Sequence, residues 1–436
     1  MRRTLVLASL LAAVAACDDS DPSIVDAASI DAAPSDCGCT PDTPLATVTV
    51  SVFDTVAPVA AVPVYFLDGA GALIATVDTD ASGLARAEMP TGGSVTALLP
   101  TGGSRPEVAT ALGVQPGDTI GIRAPGGGTD MTIDLSFPAN GSNGHYVVRS
   151  ACGEADILIK GGSTVDTQLQ LWSCGPRTDF VISADNGDGG PVSTFIAGDV
   201  AVANGATLTL TGTYVADVDV DTTFENLPVF QGSMQIERAI LTTPFVVGRN
   251  GSTTDVINGT GATTLSVPVF TAPSRGAVVA SGRLYGNVSV AEVYETAGGD
   301  YTLDTTGVFL PTFTTSADFD TATRTLSWGE SATGAAPDLT LAQIEISRPS
   351  QKASWNWTVL APHGGTSVQL PLLPGDGAEW NAVESDFSFV IDHLTGKING
   401  GYRAAITVGL ADAAPETLAH GFGRLVLERR QIPSAR

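Results

Sequence analysis

A period of two runs through this chain and limits what it can become. In residues 131–137, Met131, Ile133, Leu135 and Phe137 fall on one side of an extended backbone, and Thr132, Asp134 and Ser136 fall on the other. Successive side chains of a strand point to opposite faces, so the pattern predicts a strand with one buried and one wet side. Val48, Val50 and Val52 alternate in the same way, and further strands are read at Tyr146–Ser150, Gln168–Trp172, Phe180–Ala184 and Thr207–Thr213. Reversals are marked by Asp68-Gly69-Ala70-Gly71 and Asp80-Ala81-Ser82-Gly83, the chemistry of tight turns. Strands spaced by about 8–12 residues predict β-sandwiches. No amphipathic helix of useful length is read anywhere. The expected fold is all-β, a series of tandem sandwich domains.

The chain has 436 residues, room for two to four domains at about 100–200 residues each. Composition and pattern divide it into 1–16, 17–45, 46–126, 127–243, 244–308 and 309–436. The last of these carries strands near Thr323–Trp328, Trp355–Val359, Ser367–Pro371, Asp386–Ile391, Tyr402–Val408 and Phe422–Leu427.

Two segments carry family likenesses. The stretch Val62-Pro63-Val64, Asp68-Gly69, Ala75-Thr76-Val77-Asp78-Thr79-Asp80 and Gly83-Leu84-Ala85 resembles carboxypeptidase-regulatory-like and related Ig-like or transthyretin-like modules. That resemblance covers about 46–100 and implies a small seven-stranded sandwich used as a spacer or docking module. A strand tryptophan, Trp328, followed later by Leu370-Pro371 resembles fibronectin type III modules over 309–436.

The amino terminus has the layout of an export signal. Arg2 and Arg3 precede an apolar run from Leu5, and small residues lead to Cys17. The run is shorter than the roughly 20 residues a spanning helix needs, and Asp18, Asp19 and Asp21 follow it. The string Val14-Ala15-Ala16-Cys17 resembles a bacterial lipobox. That resemblance implies cleavage before Cys17 and lipid on its sulfur and new amino group. An ordinary cleaved signal with Cys17 as a chance neighbour is the alternative.

Residues 18–45 contain seven aspartates, four prolines and no basic residue. Such a segment buries too little to fold, and its like charges extend it. It reads as a disordered acidic tether that lifts the folded part away from a membrane. Net charge is −25, and loss of Arg2 and Arg3 with the signal makes it more negative. Phosphate backbones are repelled, so nucleic acid is excluded as a partner. An anionic lipid surface is repelled too, which leaves lipid at Cys17 as the membrane attachment. The expected location is the cell envelope.

Export also means an oxidising compartment. Cys152 and Cys174 are expected to be bridged, closing a loop of about 22 residues that the chain-entropy argument values at about 3 kcal/mol. Cys37-Gly38-Cys39 is read as a solvent-side disulfide or a contact between chains, with a metal or redox pair as the alternative.

Catalytic signatures are absent: there is no G-x-S-x-G, Walker loop or H-E-x-x-H. His145 and His363 adjoin glycines and read as surface residues. Asp392-His393 is the most suggestive pair, placed at a strand end, and a cryptic hydrolase built around His393 is one functional alternative. Asp217, Asp219 and Asp221 alternate with valines, so they share a strand face, either solvated or contributing oxygen ligands to Ca²⁺. No other cofactor is implied. Asp185-Asn186-Gly187-Asp188-Gly189-Gly190 lacks the EF-hand spacing and reads as a hairpin turn. Trp355, Trp357 and Val359 share one face, the pattern of a sandwich core. Trp380, in a Gly-rich loop, is the expected exposed aromatic and the centre of a possible sugar platform. The reading that results is a lipid-anchored envelope scaffold, adhesion or binding module without catalysis, whose ligand is a protein or polysaccharide.

Overall fold

Alternation becomes structure at β1 (Ala46–Phe53), where Val48, Val50 and Val52 are fully buried while Thr47 and its alternates face outward. Six strands follow: β2 (Pro63–Leu67), β3 (Leu73–Asp78), β4 (Leu84–Met89), β5 (Gly93–Leu99), β6 (Glu107–Val114) and β7 (Thr119–Arg123). Asp68 and Asp80 shape the reversals between them. Asp68 Oδ1 accepts from the amides of Ala70 and Ala72, and Asp80 Oδ1 from those of Ser82 and Leu84. Gly83, at φ 70°, completes the second turn in the left-handed region. A Cβ there would lie 2.4 Å from the Val52 carbonyl oxygen, so only glycine fits.

The computed structural model describes residues 45–54, 57–99, 105–124, 129–141, 144–150, 152–158, 162–185, 193–241, 246–269, 276–283, 287–294, 300–304, 306–307, 310–408 and 424–433. Cys17, Cys37, Cys39, the acidic tether, most of the 185–190 turn and His420 lie outside the described residues. Those described fall within one compact unit, Thr43–Arg436.

A second group comprises β8 (Thr129–Pro138), β9 (His145–Ser150), β10 (Gly153–Leu158), β11 (Thr164–Cys174), β12 (Arg177–Asp185), β13 (Ser193–Ala201), β14 (Thr207–Thr209) and β15 (Val215–Ala216). They form two sheets, ordered β10-β9-β12-β13-β15 and β11-β8-β14. Met131, Ile133, Leu135 and Phe137 of β8 meet Tyr146, Val148, Phe180, Ile182 and Phe195 in one core. Cys152 and Cys174 are joined by a disulfide, their Cα atoms 5.4 Å apart. The bridge ties the start of β10 to the end of β11 and so links the two sheets.

Next come two 24-residue strands, β16 (Val218–Leu241) and β17 (Val246–Val269), paired antiparallel along their length. This pairing straddles residue 243. The strands β18 (Gly276–Arg283), β19 (Asn287–Tyr294) and β20 (Tyr301–Asp304) complete the group. The last group is β21 (Phe313–Asp320), β22 (Thr325–Glu330), β23 (Leu339–Arg348), β24 (Ala353–Pro362), β25 (Ser367–Gln369), β26 (Phe387–Ile398), the helix α1 (Gly401–Val408) and β27 (Arg424–Pro433).

A single mixed sheet runs β17-β16-β18-β19-β27-β26-β23-β24-β6-β5-β2-β3. Its key junction is parallel: β24 pairs with β6 from Asn356↔Glu107 to Leu360↔Ala111. Segments 46–126 and 309–436 therefore share one sheet. Side chains reinforce the seam. Trp357 Nε1 donates to Thr110 Oγ1 at 2.9 Å, Thr358 Oγ1 donates to Glu107 Oε1 at 3.2 Å, and Arg105 pairs with Glu345 at 2.7 Å.

Around this seam the sheet is covered on both faces. On one side, Leu341, Leu360 and Leu394 join Val50, Phe66 and Ala97 beneath β4-β1-β7. On the other, Ile344, Trp355, Trp357 and Val108 pack under β21-β22-β25 through Phe313, Phe319 and Trp328. Strands buried on both faces lose their polar side, which accounts for the near-continuous burial of β5 and β6.

One element differs from expectation. Residues 402–408 form α1, not a strand. Gly400 and Gly401 take φ of 84° and 66° and break the chain after β26. Tyr402, Ala405 and Ile406 then share a helical face. Ala405 and Ile406 are buried, and the Tyr402 hydroxyl donates to the Leu112 and Leu360 carbonyls of β6 and β24. Tertiary packing on the seam overrides the β-propensity of this short segment.

Thr110→Val removes the acceptor of a buried indole N–H and the partner of the Thr96 hydroxyl. The expected cost is about 1–3 kcal/mol, read as a lower midpoint in urea unfolding. An unchanged midpoint would show that the seam bonds contribute nothing net.

Candidate functional site

The loop between β25 and β26 is the best-built surface feature of the last group. Its anchor is Arg348, at the end of β23. The guanidinium pairs with the fully buried Asp386 side chain at 2.8 Å from Nη2, and Nε donates to the same carboxylate at 3.0 Å. Nη1 donates to the Glu379 carbonyl at 2.8 Å and Nη2 to the Asn381 carbonyl at 2.6 Å. The cation also stacks 5.0 Å from the centre of the Trp355 ring. A buried charge is tolerable only when paired and hydrogen-bonded in this way.

Asn381 closes the loop further, bonding both the amide and the carbonyl of Leu373 at 2.8 Å. Gly377 lies against Tyr65 of β2, where a Cβ would sit 2.9 Å from Cζ. The loop thus rests on both sides of the seam. Burial leads in raising the Tyr65 phenol pKa, and the nearby Asp376 carboxylate adds to it.

Trp380 sits in this loop, half-buried, its ring edge-on to Trp355 at 6.1 Å. Trp355 and Trp357 are fully buried and Trp328 nearly so. The side chains standing in solvent are Leu372, Val383 and Phe387, at 56%, 44% and 42% exposure. Trp172 of β11 is exposed too, at 53%. Sequence patterning pointed to Trp380 and missed these. The Leu372-Leu373 pair signalled that one leucine must face outward, but only the Asn381 bonds decide which.

His393 occupies a different place from the one its sequence suggests. It lies within β26, not at a strand end, and is fully buried. Its ring packs 4.3 Å from Trp328 and 4.7 Å from Phe313, and neither ring nitrogen has a hydrogen-bond partner. A hydrolase needs an acid and a nucleophile within reach of this histidine, and among the described residues neither ring nitrogen meets one. Asp392, one residue earlier on the strand, takes the opposite face. Burial, with the neighbouring His363, pushes the His393 imidazole down to about 3, so it is neutral at ordinary pH.

The other two described histidines, expected at the surface, are partly buried and held by neighbouring side chains. His363 is mostly buried, bonded to the Thr340 hydroxyl at 3.0 Å and 3.4 Å from Glu330. His145, on β9, is clasped by Asp185 at 2.9 Å and by Asp156. The Asp185 hydrogen bond leads in holding its pKa above the ordinary value.

The three aspartates do not converge. Asp217 precedes β16 and is half-buried, and burial pushes its carboxyl up to about 6. Asp219 and Asp221 are exposed on β16, whose Val220, Thr222 and Phe224 face inward. Among the described residues no group of three or more His, Cys, Asp or Glu is arranged to hold a metal ion. A shallow cleft with room for about 30 Å³ lies beside the seam, lined by Ala109, Thr110, Ile122, Arg123, Thr358 and Leu360 among others. Its polar lining is Thr110, Arg123 and Thr358, and no histidine or carboxylate among the described residues lines it.

No family model matches this chain, and no curated protein matches it by sequence. Among solved structures, it is similar to BcpA, the major pilin subunit of Bacillus cereus, at 9% identity over 60% of this chain and 99% of that one, with a TM-score of 0.17. The Bacillus anthracis TIE protein matches at 13% identity over 60% of this chain and 50% of its own length, TM-score 0.16. A Ca²⁺-stabilised, ice-binding adhesin of an Antarctic bacterium matches at 12% identity over 89% of this chain and 98% of its own, TM-score 0.14. Overlaps this small carry no argument about function. The all-β architecture stands on the ladders described above.

The His393 environment has a pH signature. The folded pKa is depressed from about 6.5, so the unfolded chain binds the extra proton. Stability from this group is complete above about pH 6.5 and falls toward pH 3, by up to about 1.4 kcal/mol per unit. His393→Leu removes that slope. Urea midpoints at pH 7, 5 and 4 should show the variant's advantage growing with acidity, whereas parallel profiles would place His393 in contact with solvent.

Proposed function

We propose that this chain is a lipid-anchored protein of the cell envelope that presents a rigid β-framework for contact with a partner and performs no catalysis. The observation that carries this reading is the loop at 370–386 with the first residue of β26. Buried bonds to Arg348, Asn381 and Asp386 hold it in place while Leu372, Val383 and Phe387 stand in solvent. A backbone fixed in this way presents its exposed side chains to a partner with little further ordering cost. The lipobox-like Val14-Ala15-Ala16-Cys17 and the acidic segment after it support attachment by lipid and display at a distance. A polysaccharide ligand, the second reading, is supported by Trp380 and Trp172 as stacking surfaces.

Fractionation of intact cells, with protease shaving and mass spectrometry of the amino-terminal peptide, tests the proposal. The expected result is a membrane-associated chain whose first residue is an acylated Cys17. A soluble chain with an unmodified Cys17 would contradict it.

A further inference from the structure

The outer face of the sheet β11-β8-β14 sets an exposed tryptophan in line with amides, hydroxyls and a carboxylate. Along β11, Val165, Leu169 and Leu171 are buried, while the alternate residues Gln168, Gln170 and Trp172 face outward. Register fixes their neighbours. Gln168 stands opposite Asp134 of β8 and Gln170 opposite Thr132, and Thr207 of β14 flanks Asp134 on its other side. Gln168 Nε2 donates to Asp134 Oδ1 at 3.3 Å across the ladder. Trp172 ends the row, its indole 53% exposed. Its backbone amide donates to the Cys152 carbonyl at 2.7 Å, beside the disulfide to Cys174. At about 3.4 Å per residue, the row from Gln168 to Trp172 is roughly 14 Å long.

This set of groups matches the surface of a sugar chain. A pyranose ring has a face of C–H bonds, which stacks on an indole, and a rim of hydroxyls that donate and accept. Glutamine amides offer donors and acceptors, threonine hydroxyls offer both, and the aspartate accepts. Charge narrows the class further. The strands β8, β11 and β14 contain no lysine or arginine, whereas Asp134 and Asp166 are exposed. Polyanions, acidic polysaccharides among them, are therefore repelled. A row along a strand also suits a straight chain better than a single ring.

We propose that this face binds a neutral, straight polysaccharide of the cellulose or chitin type. One ring stacks on Trp172, and the next rings hydrogen-bond along Gln170, Thr132, Gln168 and Asp134. The inference rests on the polysaccharide reading above and gives it a site. The disulfide and the bond to Cys152 hold the backbone under the indole, which lowers the ordering cost of binding.

The test titrates the full mature chain with cellohexaose, chitohexaose and hexagalacturonate by calorimetry. At least one of the two neutral hexamers should bind, and the acidic one should not. Trp172→Ala should lower affinity about tenfold or more. Gln170→Ala should lower it by a smaller factor, and Trp172→Tyr, which keeps a stacking ring, should retain most of it. Both side chains are exposed, so the thermal midpoints should stay at that of the parent. Equal binding of hexagalacturonate would overturn the proposal. Binding of a neutral hexamer with full affinity in Trp172→Ala would overturn the site and leave the polysaccharide reading standing, whereas binding of no hexamer would overturn both.

Discussion

The parallel ladder between β6 and β24 is the contact on which the rest of the molecule depends. It joins residues about 250 positions apart, with Trp357 bonded to Thr110 and Thr358 to Glu107. Closing so large a loop is entropically costly, and the two cores on either side of the sheet offset that cost. Val108 points into one of these cores, and its neighbours Ala109 and Ala111 point into the other. The helix α1 then closes the seam, its Tyr402 hydroxyl satisfying a carbonyl from each strand.

The surface loop follows from that junction. Arg348 and Asp386 belong to the last group of strands, whereas Tyr65, beneath Gly377, belongs to the first. Only the shared sheet brings them together. The loop's anchors, Arg348, Asn381 and Asp386, lie within the last group, and Gly377 adds a contact to the first group through Tyr65.

Much of this was legible in the residues. Alternation located β1 and β8, Asp-Gly and Ser-Gly turns located the reversals, and the shared face of Trp355, Trp357 and Val359 pointed to a core. These are local signals with a period of two. The parallel ladder has none. A strand covered on both faces loses its polar alternation, so Gly93–Leu99 and Glu107–Val114 give no clue to their partners. The helix was missed because Gly401–Val408 makes only about two turns, and packing on the seam selects between helix and strand. His393 was misplaced because a polar pair suggests a strand end. Here one member faces the core between Trp328 and Phe313. The loop's exposed face was hidden for another reason: Arg348 and Asp386 are 38 residues apart, and nothing local links them.

Hydrogen exchange on the intact mature chain, followed by mass spectrometry across a series of denaturant concentrations, tests the seam most directly. If β6 and β24 form one cooperative element, the slowest amides of residues 107–112 and 356–360 open with the same free energy and the same denaturant dependence. Exchange of 107–112 at low denaturant while 356–360 stays protected would contradict the account, because the two ends would then be separate modules that merely touch.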